Sequence, residues 1–138
     1  MGGTRIQSGF MRRFFRYLFL SIAVVFLSAI VVQVFFAGLM LFGQEGGREL
    51  HETTGYILGT AGALFLVVPA LARAGRRPIV LGVILALVTY GQPFLTFARD
   101  TSPVIAALHP VNALLIFTLS LVLARQAMSL LRSERQAV

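Results

Sequence analysis

A chain of 138 residues that is 57% hydrophobic and only 12% charged, with a mean hydropathy of +0.85, departs from the roughly 25% charge of soluble domains and reads as an integral membrane protein. The net charge of +7 comes from twelve arginines at the ends of apolar stretches, so membrane topology explains it better than nucleic-acid binding. Cysteine is absent, which excludes disulfides, thiolate metal sites and cysteine nucleophiles.

Four uninterrupted apolar stretches follow in chain order, each able to supply the ~20 residues that cross hydrocarbon. They run Tyr17–Phe42, Thr53–Leu71, Pro78–Ala98 and Pro103–Ala124. Period-two alternation is missing and the runs are too long for strands, so the expectation is an all-α, transmembrane four-helix bundle in one domain, residues 1–138. Met11-Arg-Arg-Phe-Phe-Arg16 leads into span one as a basic interfacial segment suited to anionic lipid. Span one is too long for a signal-peptide apolar region and lacks a convincing cleavage site, so it is expected to be retained. It carries Gln33 in its second half. The link Gly43–Glu52 contains Gly43, Gly46 and Gly47 and brings the chain to His51 at the head of span two. Pro69 predicts a kink near the end of that span. Ala72–Arg77 leads to span three, where Pro93 follows Gln92 and would turn its amide inward. Arg99–Ser102 leads to span four, where His109 directly precedes Pro110. Proline has no N–H and disfavours helical geometry at the residue before it, so the helix proper is expected to begin close to Pro110. Residues 1–10 and 133–138 read as frayed tails.

Short links force neighbouring helices to be antiparallel, which predicts an up-down-up-down order. Arg5, Arg12, Arg13, Arg16, Arg73, Arg76, Arg77, Arg125, Arg132 and Arg135 then fall on one side, and only Arg48 and Arg99 on the other. The positive-inside rule puts both termini in the cytoplasm and both histidines toward the outer face. Glu45, Glu49, Glu52 and Asp100 share that outer side.

The two halves echo each other. Gln33 precedes His51 by 18 residues and Gln92 precedes His109 by 17, and no other histidine occurs. A parallel repeat about an axis along the membrane normal would set the histidines face to face. Depth argues against this. At 1.5 Å per residue, His109 lies roughly 24 Å from Arg125 but His51 roughly 33 Å from Arg73, a mismatch of about 9 Å.

The polar side chains admit several chemistries. Neutral imidazoles on spans two and four are standard axial ligands for a b-type haem packed inside a four-helix bundle. In that reading His51 and His109 ligate the haem iron and Gln33 and Gln92 form a supporting polar layer. Gly55, Gly59 and Ala63 run down one side of span two, either as a groove for a flat macrocycle or as a small-xxx-small helix contact. Without haem, His109 is a neutral histidine bonded to Asn112, Gln92 or a carbonyl, and the glutamines are interhelical hydrogen bonds. Two histidines alone rarely hold zinc, and no nucleophilic triad, phosphate loop or carboxylate pair is present, so a conventional catalytic motif is missing. The twelve Phe and three Tyr suit lipid-facing and interfacial positions.

Several strings carry a resemblance: Gln33-Val-Phe-Phe-Ala-Gly38-Leu, His51 with Gly55, Gln92, and Leu108-His109-Pro110-Val111-Asn112-Ala113-Leu114. Together they resemble an uncharacterised family of small bacterial four-span proteins, a domain of unknown function, over nearly the whole chain. More distantly, histidines on the second and fourth spans resemble one half of the haem A synthase four-helix bundle. That resemblance implies His51 and His109 as axial ligands, although the Glu-x-x-x-His-Arg pattern is absent: Gly47 and Glu52 stand at those positions. The expectation is a small multi-pass protein of the bacterial cytoplasmic (inner) membrane, binding haem b for electron transfer or haem handling. Its partners would be the lipid bilayer and a membrane redox partner or a second copy, with no nucleic acid. The alternatives are a non-catalytic membrane subunit or scaffold without cofactor, and a proton or small-solute carrier using His109, Gln92 and Gln33.

Overall fold

The computed structural model describes the backbone of residues 3–136 and the side chains of residues 9–136. Helix α1 spans Gly3–Leu41. Helix α2, Gly47–Gly62, runs into a 3₁₀ turn at Ala63–Leu66 and a short α3 at Val68–Leu71. Helix α4, Arg76–Phe97, is followed by a 3₁₀ turn at Ala98–Asp100, a short α5 at Pro103–Ala106, and α6 at Leu108–Gln136. No strand occurs among the described residues. Four stretches are long and apolar enough to cross a membrane: Gly9–Leu41, Gly47–Leu71, Arg76–Asp100 and Pro103–Gln136.

The links are made by residues that reach left-handed backbone angles. Gly43 (φ 72°) and Gly46 (φ 75°) reverse the chain after α1, and Arg73 (φ 50°) and Gly75 (φ 90°) do so before α4. Helix α2 then starts at Gly47, earlier than the loop read from the sequence. A Cβ there would lie 2.7 Å from the Met40 backbone nitrogen, so the first turn of α2 seats directly on the end of α1.

Pro69 breaks the second span as expected, and the break is useful. Proline at this position has no N–H to donate to the carbonyl four residues back, which is that of Phe65. The chain tightens into the 3₁₀ turn, Val67 moves to φ −113°, and the Phe65 oxygen turns toward α4. Gly82 of α4 packs on that oxygen so closely that a Cβ would lie 2.5 Å from it. Pro110 stands just past a similar break: α5 ends at Ala106, the residue four back, and the chain turns at Ala107. Pro110 is then the third residue of α6, where helix N–H groups have no intrahelical partner.

Helix α1 packs on α2 and α6, and α4 packs on the same two, while α1 and α4, like α2 and α6, make no close backbone approach. The helices form a ring in which α2 and α6 are diagonal. The core inside it is built from Phe19, Ala23, Phe26 and Ile30 of α1, Phe65, Leu85, Ile116, Leu123 and Ala127. Its register repeats. A shift of 59 residues carries buried Phe19, Ala23, Phe26 and Ile30 onto buried Pro78, Gly82, Leu85 and Thr89. A shift of 58 carries buried Gly62, Phe65 and Pro69 onto buried Ser120, Leu123 and Ala127. Side chains differ at every one of these pairs, yet the inward positions coincide.

At the end opposite the histidines, Arg16 acts as a clasp. It donates to the Ala72 carbonyl (3.4 Å) and the Leu130 carbonyl (3.3 Å) and pairs with Glu134 at 3.1 Å. Arg12 reaches the same carboxylate at 3.3 Å. The tails expected to fray are instead helical at residues 3–10 and 133–136, because α6 continues past Ala124 to bring Glu134 against α1. Residues 1, 2, 137 and 138 of those tails lie outside the described residues.

Candidate functional site

The four polar residues singled out in the sequence meet in two matching clasps. In the first, Gln33 Nε2 donates to the His51 carbonyl at 2.6 Å, and His51 Nδ1 lies 3.3 Å from the Gln33 carbonyl. In the second, Gln92 Nε2 donates to the His109 carbonyl at 2.9 Å, and His109 Nδ1 lies 3.2 Å from the Gln92 carbonyl. Each glutamine amide oxygen is also occupied. Thr54 Oγ1 donates to Gln33 Oε1, and Asn112 Nδ2 donates to Gln92 Oε1. Asn112 Nδ2 further donates to the Val88 carbonyl at 2.9 Å.

Thr54 and Asn112 complete the pattern. Each stands three residues after its histidine, one helical turn further along the same face. Of the partners the sequence offered His109 (Asn112, Gln92 or a carbonyl), the structure gives it the Gln92 carbonyl, while Asn112 bonds the Gln92 side chain. Thr54 was missed. The signal that marks it is a hydrogen-bonding side chain at the third position after both histidines.

The clasps determine the chemistry of the rings. A carbonyl oxygen only accepts, so each Nδ1 must carry a proton and donate it. In a neutral imidazole this leaves the Nε2 lone pair free, the arrangement by which metal-ligating histidines are oriented from behind. The two ring centres are 6.1 Å apart with an interplanar angle of 64°. The rings come from diagonal helices and meet within the bundle.

The expected 9 Å mismatch in depth is therefore wrong, and the clasp at Arg16 says why. Arg16 bonds the carbonyls of Ala72 and Leu130, which marks those two residues as level. Both lie 21 residues beyond their histidines. Arg73 and Arg125 are not level at all. Arg125 stands more than a turn short of the helix end and is exposed on α6.

The small-residue stripe also has a different role. A Cβ on Gly55 would lie 3.0 Å from Gln33 Nε2, so Gly55 makes room for the glutamine clasp. A Cβ on Gly59 would meet nothing within 4 Å, and Ala63 is exposed. Close helix contacts form instead at Gly47, Gly62 and Gly82.

Ile30, Thr89 and Ile116 seal the bundle on the Arg16 side of the rings. Outward of the rings, only Gly47 is buried among the described residues, so the layer opens toward the Arg48 and Arg99 end. No group of three or more His, Asp or Glu side chains suited to a lone metal ion occurs among the described residues. Comparison with known protein families, curated proteins and solved structures finds no match to this chain.

Proposed function

We propose that the chain is a small multi-pass membrane protein that holds a b-type haem between His51 and His109, for electron transfer or haem handling. One observation carries this reading: two imidazoles on diagonal helices, each tied back through Nδ1, with ring centres 6.1 Å apart. Metal–imidazole bonds run ~2.0–2.1 Å, which puts the centres of two rings on one iron roughly 6 Å apart. The donor set fits the group. A bis-imidazole iron supplies one-electron transfer without an open coordination position. The chain's own residues hold the ligands: Gln33 and Gln92 fix ring tautomer and tilt, and Thr54 and Asn112 hold the glutamines.

The same reading sets the bundle in the bacterial cytoplasmic membrane in up-down-up-down order. The end where Arg16 meets Ala72 and Leu130 also carries Arg12, Arg13, Arg73, Arg76, Arg77, Arg132 and Arg135, so the positive-inside rule makes it cytoplasmic. Both termini are then inside and the histidines lie toward the outer face, where a membrane redox partner or a second copy would meet them.

The test is a reduced-minus-oxidised visible spectrum of purified protein after haem supplementation. A b-type band is expected from the native chain and should vanish with His109→Ala and with His51→Ala. A native protein that folds and shows no band sinks the haem reading. The two clasps would then be helix cross-links in a non-catalytic membrane subunit.

A further inference from the structure

A shallow cavity of about 290 Å³ opens between α4 and α6 beside His109, lined by Leu95, Leu108, Val111, Asn112 and Leu115. Leu108, Val111 and Leu115 are exposed, so in a bilayer this groove faces lipid. Asn112 is its polar residue, and the amide is only half used. Nδ2 donates both hydrogens, to Val88 O and Gln92 Oε1, whereas Oδ1 accepts no hydrogen bond from the described residues. A molecule lying in the groove therefore meets an acceptor with no competing donor, and its matching group is an O–H on an apolar body.

The volume lies just under the ~300–1,000 Å³ of ordinary ligand pockets, enough for one substituted ring with its tail left in the lipid. In the other half of the bundle Thr54 takes the place of Asn112, and its hydroxyl donates its one hydrogen to Gln33 Oε1. The halves therefore differ at this position in the acceptor they present, a threonine hydroxyl oxygen in one and an amide oxygen in the other.

We propose that this groove binds the head of a lipophilic quinol, its phenolic O–H donating to Asn112 Oδ1. The preference for a quinol over a redox-inert lipid alcohol rests on the haem reading. Asn112 is joined to His109 through Gln92 alone, so the quinol ring lies beside that centre.

The experiment uses the full chain, purified without haem under anaerobic reducing conditions, so that it stands apart from the spectroscopic test of the histidine pair. Isothermal titration compares a decyl-substituted hydroquinone, its di-O-methyl ether and 1-decanol. The quinol should bind about tenfold more tightly than the ether, the order of one hydrogen bond lost at a lipid-facing site. Leu115→Phe, which fills the groove and leaves Asn112 intact, should weaken quinol binding by a similar factor, and so should Asn112→Leu. Equal affinity for quinol and ether overturns the assigned O–H contact. Equal affinity for quinol and decanol overturns the choice of a quinol, and an unchanged affinity in Leu115→Phe overturns the location.

Discussion

Gln33 makes three contacts at once: the amide nitrogen on the His51 carbonyl, the amide oxygen on Thr54, and its backbone carbonyl on the His51 ring. Only the last orients the imidazole, but the first two fix the backbone that carries it. Interhelical hydrogen bonds in membranes are worth about 0.6 kcal/mol on average and ~1.7 at most. Gln33→Leu should therefore destabilise the bundle by ~1 kcal/mol while lowering haem affinity, measured by unfolding in mixed micelles and by haem titration. Thr54→Val should cost less, because Gln33 keeps its other two contacts. If Gln33→Leu leaves haem affinity untouched, the Gln33 side chain has no part in holding the ligand. Gln33, Gln92, His51 and His109 were legible in the sequence because polar side chains are rare in apolar spans. Their pairing was not, because depth was counted from Arg125, which does not mark the end of its helix.

Among the elements, the 3₁₀ turn at Ala63–Leu66 shows how a helix break improves packing. Pro69 was legible as a kink, since proline always forfeits the bond to the fourth residue back. The use made of the freed Phe65 carbonyl was not, because it depends on Gly82, far along the chain and unremarkable in a glycine-rich sequence. Two effects oppose each other at that position. Alanine in a helix interior gains ~0.5–1 kcal/mol over glycine. A Cβ 2.5 Å from a backbone oxygen forces α4 away from the turn, an overpacking that costs about 1–3 kcal/mol. The clash involves backbone rather than a flexible side-chain end, so it wins. Gly82→Ala should lower the thermal midpoint, whereas Gly59→Ala, with no atom near its Cβ, should raise or preserve it. A stabilised Gly82→Ala variant would contradict the close approach of α4 to the Phe65 carbonyl.

At the scale of the whole molecule, the two halves share the Gln–His clasps and their inward positions but not the side chains at those inward positions, which is why the repeat shows faintly in the sequence and plainly in the burial pattern. The span count was legible from hydropathy, but the span ends were not: α6 runs on to Gln136 because Arg12 and Arg16 draw Glu134 to the bundle. The proposed orientation rests on a large difference in cost. Arginine within a span costs ~2.5–3.5 kcal/mol on the insertion scale, and the inverted bundle would translocate ten arginines in place of two. The absence of cysteine makes this directly measurable. Single cysteines at Gln44 and Thr101, both exposed in links at the histidine end, should react in intact cells with a membrane-impermeant maleimide. One at Ser133, exposed at the Arg16 end, should react only after the membrane is opened. Labelling of Gln44→Cys and Ser133→Cys from the same side would contradict the alternating order, and labelling of Ser133→Cys alone in intact cells would reverse the bundle. In that reversed case the histidine pair would exchange electrons or haem with the cytoplasm, and the lipid-facing groove beside Asn112 would open in the inner leaflet instead of the outer.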